Sequence, residues 1–341
     1  MSSALRTILP TLLFTASEQN EYLESFSKHA DAIGWHLNQV DILDFADQID
    51  GFYEKRLKEL KKHNLNNLTI AFDETYIPYY GKNNNHVWIH KYNNKVKGAT
   101  GSYKFIVASI VAHEQRYVIS MLPMAICDQS VEIVDFFLNR IKKYFHVSLV
   151  LLDRGFASKE LAYNMEKHDQ KYIALCPKWK NVKKFLQERK SYVVEEKIIR
   201  EHRKEHIAKM QYVLEYNLLK YDWIFLTNTQ LRGIDLIRAY KARWGIETTF
   251  RVMDQADIKS KSTNIVIRTF FFLISVILYD IWIQKRQEIE CTFTQFLDVL
   301  ATSTKSIHSV LEEFKNAKLK LGIKITREEE RILSFSIEKI C

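Results

Sequence analysis

The sequence predicts an α/β core with helical additions at both ends, and three observations carry that expectation. Hydrophobic residues make up 47% of the 341 residues, enough to bury a sizeable core. Only 9 Gly and 4 Pro punctuate the chain, which favours long elements over elaborate loops. The hydrophobic period also changes along the chain, from helical to alternating and back to helical.

Residues 18–63 mix charged and apolar side chains at helical spacing, with no breaker before Asn64. Leu68, Ile70 and Phe72 then alternate with Thr69, Ala71 and Asp73, as in a half-buried strand that Asp73 closes. Gly81 and the run Asn83, Asn84, Asn85 predict a turn. Strands follow at 103–112 and 116–122, joined as a hairpin through 113–115. Residues 129–145 read as an amphipathic helix. Val147 to Leu152 is a continuous apolar run ending at Asp153-Arg154-Gly155, the pattern of a central strand covered on both faces. Gly155 is expected to permit the sharp turn that leaves Asp153 exposed. A helix at 158–168 and a strand at 171–176 complete this part. The segment 177–228 is mixed, with strands at 191–199 and 222–228, and from Ile234 onward the pattern is helical. The expected organisation is therefore a helical region at 1–65, a first core segment at 66–176, a basic insertion at 177–232, core helices at 233–285 and a helical region at 286–341.

The formal charge is +9, and it is concentrated. Between Cys176 and Lys209 stand eleven Lys and Arg against five Glu, a local +6. A polyanion is the natural partner, because neutralising phosphates releases counterions. Within this stretch Lys178, Lys180, Lys183 and Lys184 are the candidate phosphate contacts. The aromatics Trp179, Phe185, Tyr192 and Trp223 either stack on unpaired bases or pack the core of the insert. The four cysteines have neither zinc-ligand spacing nor a disulfide pattern, which fits a reducing cytoplasm. The N-terminal stretch lacks the form of a signal peptide. The longest apolar run, Phe270 to Tyr279, is shorter than a bilayer span and reads as a buried helix.

Three acids are placed to do chemistry. Asp73 and Asp153 end strands, and acids at the C-terminal ends of neighbouring strands converge at one edge of an open α/β sheet. Glu74 points to the opposite face from Asp73 and is set aside. A helix over Ala239–Ala256 carries Tyr240, Arg243 and Glu247 in one stripe. Three carboxylates make an all-oxygen site suited to Mg²⁺. Two such ions about 4 Å apart can activate an attacking oxygen and stabilise a leaving one in phosphoryl transfer.

The segments FDETYIPYYGK, LLDRGFAS and YKARWGIETTFR resemble the motifs of the DDE transposases of prokaryotic insertion sequences. The subgroup resembled carries a Tyr-x2-Arg-x3-Glu-x6-Lys signature, and the likeness runs from about Thr69 to Arg268. It implies a ribonuclease H-like fold with an inserted β-containing segment, and metal-dependent DNA cleavage with strand transfer. It implies Asp73, Asp153 and Glu247 as the catalytic, metal-binding triad. Two Mg²⁺ ions, replaceable by Mn²⁺, are the implied cofactors. Double-stranded DNA, both element ends and target, is the implied partner of a homodimer, with Tyr240 and Arg243 near its phosphates. One departure stands out: Asp254 occupies the signature's Lys position. Either Arg251, one turn after Glu247, supplies the missing cation, or this copy is a DNA-binding derivative impaired in catalysis. A purely hydrolytic nuclease is a further alternative.

Two other patterns compete. His202 and His206 lie in an H-x-x-E-H array, which on a helix would suit a zinc peptidase. The surrounding REHRKEHIAK is charged nearly throughout and lacks the apolar face that anchors such helices, so a solvated or DNA-facing stretch is the expected account. His86 and His90 have no acid or Cys at matching spacing and read as surface or sheet residues. Arg268, before the Phe270 run, is placed facing the site.

Overall fold

The computed structural model describes residues 15–16, 30–63, 65, 67–82, 87–91, 96–111, 116–201 and 204–303. Expectations on 18–29, on the asparagine turn, on His86, on the 113–115 turn, on His202 and on 304–341 lie outside them. The described residues fall into two compact units, one spanning Asp41–Phe250, the other formed by residues up to Val40 with those from Arg251 onward.

The 41–250 unit is built on one eight-stranded mixed sheet. Its strands are β1 (Leu68–Tyr79), β2 (Gly101–Ile110), β3 (Val118–Met124), β4 (Val147–Leu152), β5 (Tyr172–Leu175), β6 (Tyr192–Glu201), β7 (Lys204–Leu218) and β8 (Tyr221–Thr227). Their order in space is β3-β2-β1-β4-β5-β8-β7-β6. The first three form an antiparallel meander, while β4 and β5 join β1 in parallel. The run Val147–Leu152 is indeed central: Val150, Leu151 and Leu152 are wholly buried, as a strand covered on both faces requires. The 177–232 segment extends the same sheet, because β8 pairs antiparallel with β5 and carries β7 and β6 outward. Two of its elements are not evident in the sequence, the helix Lys180–Gln187 and the 15-residue β7. In β7, charged residues on the solvated side mask the alternation of the buried ones.

Helices of this unit are numbered in chain order after α1 (Ala30–Asn38), which belongs to the other unit. They are α2 (Ile42–Leu60), α3 (Ser130–Lys142), α4 (Lys159–Lys167), α5 (Lys180–Gln187), α6 (Gly233–Lys241) and α7 (Trp244–Met253). The continuous helix expected over 18–63 is broken at Gln39–Asp41, where Asp41 caps α2 by accepting from Leu43 N at 2.7 Å. Phe137 of α3 stacks on Phe72 of β1, centroids 6.5 Å apart, which puts Phe72 on the α3 face and its neighbour Asp73 on the other.

In the second unit α8 (Ile265–Ile289) meets α1, with Asn264 Nδ2 donating to Asn38 Oδ1 at 2.8 Å. The expected apolar helix is longer than its core run. Ile265–Arg286 is long and apolar enough to cross a bilayer, but 78% of that window is buried in the protein, as for a core helix. Arg268 Nε donates to Ser262 O at 2.9 Å within this unit. The chain is not helical throughout after Ile234: residues 257–264 run without helix between Ala256 and α8.

Candidate active site

The sheet register brings the two strand acids together. Phe72 pairs with Leu152 at the last position of the β1–β4 ladder, so Asp73 and Asp153 leave adjacent strands side by side. Asp73 does not close its strand. β1 runs on to Tyr79, paired with β2 alone; it is the end of β4 that opens space beside Asp73. Asp153 precedes a 3-10 turn, Arg154–Phe156, and makes no side-chain capping bond, so its carboxylate is not spent on the helix end. Gly155 is not needed there for conformational freedom. Its φ lies outside the left-handed region, and a methyl group on it would meet only Glu74 Oε2, at an ordinary 3.8 Å.

The helix that carries the third acid differs from the expected single stripe. α6 ends at Lys241 and α7 begins at Trp244, and Arg243 stands in the turn between them. Tight bonds from Arg243 N to Tyr240 O (2.9 Å) and from Ile246 N to Arg243 O (2.9 Å) wind this corner closer than an α-helix. Gly245 seats it: a Cβ there would lie 3.2 Å from Val111 Cβ and 3.2 Å from Arg116 Nε. α7 also ends earlier than expected. Asp254 opens a 3-10 turn, Asp254–Ala256, instead of continuing the helical row of Glu247. Arg251 is exposed.

The corner aims Arg243 at all three acids. Nη1 donates to Asp73 Oδ2 at 3.0 Å and Nη2 to Glu247 Oε1 at 2.5 Å; Nη2 lies 3.9 Å from Asp153 Oδ1. The Arg243 side chain is 6% exposed. Tyr240 is buried against Phe225 and Trp223, and its hydroxyl accepts from Arg243 Nε at 3.2 Å. Burial opposes the charge on Arg243, but Tyr240, Asp73, Asp153 and Glu247 together outweigh it and hold its pKa above the ordinary value. Burial pushes Asp73 the other way, up to about 6, against Arg243 and the Glu74 N–H, while Asp153 and Glu247 add to the rise. The two trends agree, because three acids share one cation and the most buried acid is left undercompensated.

That shift has a sign. A carboxyl whose folded pKa is raised stabilises the fold fully below its unfolded value, near 3.8, and that contribution is lost as pH rises through about 6. In divalent-free buffer, Asp73→Asn should therefore melt above the parent at pH 8, by on the order of 3 kcal/mol, and match it at pH 4. Equal melting of the two proteins at pH 8 would show that burial does not strain this acid.

Glu74, set aside on strand alternation, is locked on the α3 face. It pairs with Lys104 Nζ at 2.7 Å and accepts from Ser130 Oγ at 2.7 Å and from the Tyr76 hydroxyl at 2.8 Å. Its backbone N–H holds Asp73 Oδ1 at 2.9 Å. Nothing in the local sequence pattern marks Lys104 or Ser130 as partners, since both come from distant elements.

Lys178, Lys180, Lys183 and Lys184 are all exposed, while Val182 and Phe185 turn α5 inward. Phe185 packs on Tyr212 and Trp223 stacks on Phe225, so both are packing residues. Trp179 is half-buried, and Tyr192 is exposed under the Arg232 guanidinium. Of the H-x-x-E-H array, Glu205 and His206 belong to the strand β7 and not to a helix, which removes the geometry a zinc peptidase needs. His90 is held in the sheet by Met124 O at 2.8 Å.

Comparison with known families matches residues 66–281 to the transposase DDE domain. Among solved structures the chain is similar to the cryo-EM structure of a piggyBac transposase synaptic complex with hairpin DNA, with a TM-score of 0.60 and 12% identity. That match covers 96% of this chain and 74% of the other, and at this identity it speaks for the fold. No curated protein matches the sequence. With the family match spanning more than half of its length, the chain belongs to the transposase DDE domain family and is a DDE-type transposase.

Proposed function

We propose that this transposase cuts and joins DNA phosphodiesters at the ends of a mobile element, with Asp73, Asp153 and Glu247 as ligands of divalent ions, Mg²⁺ or Mn²⁺ in its place. The observation that carries this reading is the convergence of three carboxylates from β1, the end of β4 and α7 on one guanidinium. Their donor set fits hard cations: three carboxylates, without thiolate or imidazole. Among the described residues no three His, Cys, Asp or Glu stand close enough to hold one ion as they are, because the acids are spread around Arg243. A bound ion pair supplies Lewis-acid activation of the attacking oxygen and stabilisation of the leaving one. Asp73 is oriented by the Glu74 N–H, and Tyr240 holds Arg243 by ring and hydroxyl. The piggyBac transposase of similar fold is a synaptic complex with hairpin DNA, which supports duplex DNA ends as the substrate and a homodimer as the species that pairs them. The test is cleavage of a plasmid carrying the element's ends. Cutting should require Mg²⁺ or Mn²⁺ and stop in chelator; undiminished cutting in chelator would overturn metal dependence. Strand transfer of the cut ends separates a transposase from a nuclease that only hydrolyses.

The exposed lysines of and before α5 should carry much of the affinity for phosphate. Replacing Lys178, Lys180, Lys183 and Lys184 by Gln should flatten the slope of log K against log[salt] by roughly 0.9 for each phosphate no longer neutralised. An unchanged slope would mean that this face is merely solvated.

A second reading, a DNA-binding derivative impaired in catalysis, has one observation in its favour, Asp254 in the signature's Lys position. Single-turnover cleavage separates the two. Under the second reading Asp254→Lys raises the rate. If Arg251 supplies the cation instead, Arg251→Ala lowers the rate and Asp254→Lys leaves it unchanged.

A further inference from the structure

We propose that Arg243 is a built-in competitor of the divalent ion, so that metal entry requires its guanidinium to release the acids. The inference rests on reading Asp73, Asp153 and Glu247 as metal ligands, and three observations deepen that reading. First, the guanidinium takes the oxygens an ion would need. Of the two Asp73 oxygens, Oδ1 is held by the Glu74 N–H and Oδ2 by Arg243 Nη1, while Nη2 takes Glu247 Oε1. Second, although the three acids converge on Arg243, they do not stand close enough to one another to hold an ion as they are. Closing them on an ion means vacating the point where the guanidinium sits. Third, the guanidinium is buried, its side chain 6% exposed, and like charges at contact distance there repel strongly, so the ion and the guanidinium cannot share that point.

The arrangement also explains why such a cluster is tolerable without an ion. Three acids gathered with no cation would repel one another and drive the strand ends and α7 apart; one fixed guanidinium offsets part of that charge. The turn between α6 and α7 makes the device hold and release. Arg243 is held by Tyr240, whose ring centroid lies 5.6 Å from the guanidinium carbon and whose hydroxyl accepts from Nε at 3.2 Å, while α6 and α7 meet at a corner rather than along a continuous helix. A side chain on a continuous helical stripe would lie along the surface; from the corner it reaches across the three acids.

A brace and a competitor predict opposite outcomes. If Arg243 only preorganises the acids, its removal loosens them and weakens metal binding. If it competes, removal strengthens binding. The measurement is Mn²⁺ affinity of the full chain without DNA, by isothermal titration calorimetry and by the loss of the free-ion electron paramagnetic resonance signal. Arg243→Gln should bind Mn²⁺ roughly tenfold tighter or more than the parent. Arg243→Lys, which keeps the charge and loses the fork, should fall between and serves as the readout if the Gln variant folds poorly. Melting adds an independent check: the Gln variant should be less stable than the parent in chelator, and the gap should shrink in saturating Mn²⁺. Unchanged or weaker Mn²⁺ binding by both variants would overturn the competition while leaving the metal site intact. Asp153→Asn and Glu247→Gln test the site itself and should weaken binding in either background. If neither does, the acids are not the metal ligands, and the competition falls with them.

Discussion

Asp73→Ala, Asp153→Ala and Glu247→Ala should each reduce Mg²⁺-dependent strand cleavage by about 10³-fold or more. A loss of that size corresponds to ~4 kcal/mol of transition-state stabilisation, within what metal-centred catalysis of phosphoryl transfer supplies. Each acid comes from a different element, and each has an oxygen within 4 Å of the same guanidinium. None is a keystone of the fold. Asp153 makes no capping bond, and Asp73 is an acid whose burial already works against it. Gel-shift affinity should therefore stay near that of the parent while cleavage disappears, and the melting temperature should not fall below it; for Asp73→Ala it should rise at pH 8 without divalent ions, since the strained carboxylate is gone. Near-normal cleavage by any one variant would remove that residue from the site; a collapsed melt would instead reassign it to the fold.

The largest expected loss of stability lies elsewhere, at Arg140 of α3. This side chain is buried and ties three elements together. It pairs with the Asp50 carboxylate, donates to the Asp50 carbonyl of α2 at 3.3 Å, and donates to Ser120 Oγ of β3. Burial lowers its pKa to about 10, which still leaves it charged at neutral pH. Removing one partner of a buried ion pair typically costs about 3–5 kcal/mol, because the other charge is left uncompensated. Asp50 keeps some access to water, with 29% of its side chain exposed, so the lower end applies. Arg140→Ala should lower the melting temperature by roughly 6 °C or more. Asp50→Leu combined with Arg140→Met should recover part of that loss. A melt unchanged by Arg140→Ala would mean that the pair contributes no net stability.

Much of the architecture was legible because local rules sufficed. The alternation at Leu68 to Asp73, the apolar run Val147–Leu152 and the helical period at 129–145 each reflect a pattern of burial; β4 and α3 stand where those patterns place them, and β1 begins there but runs on past Asp73 to Tyr79. The missed elements fail for the same reason in reverse. α5 is an eight-residue helix with only Val182 and Phe185 buried, and in β7 charged residues interrupt the alternation before a continuous buried run from Tyr212 to Leu214; neither offers a period strong enough to read. The aromatic pair Phe185 and Trp223 could not be divided between stacking and packing from spacing alone, since the choice depends on Tyr212, Phe225 and Tyr240 arriving from other elements.

By itself the sequence determined the α/β class, the three acids as candidates and their family resemblance, because residue type and short-range spacing carry that information. The tertiary structure alone decided how those acids meet. The Phe72–Leu152 register sets Asp73 beside Asp153. The corner at Arg243, wound tight by its own hydrogen bonds and seated by Gly245, turns a residue expected on a helical stripe into the centre of the cluster. Glu74 acquires its lock from Lys104 and Ser130. Each of these depends on residues far apart in the chain, whose apposition arises from strand pairing and packing and therefore leaves no trace in any local period of the sequence.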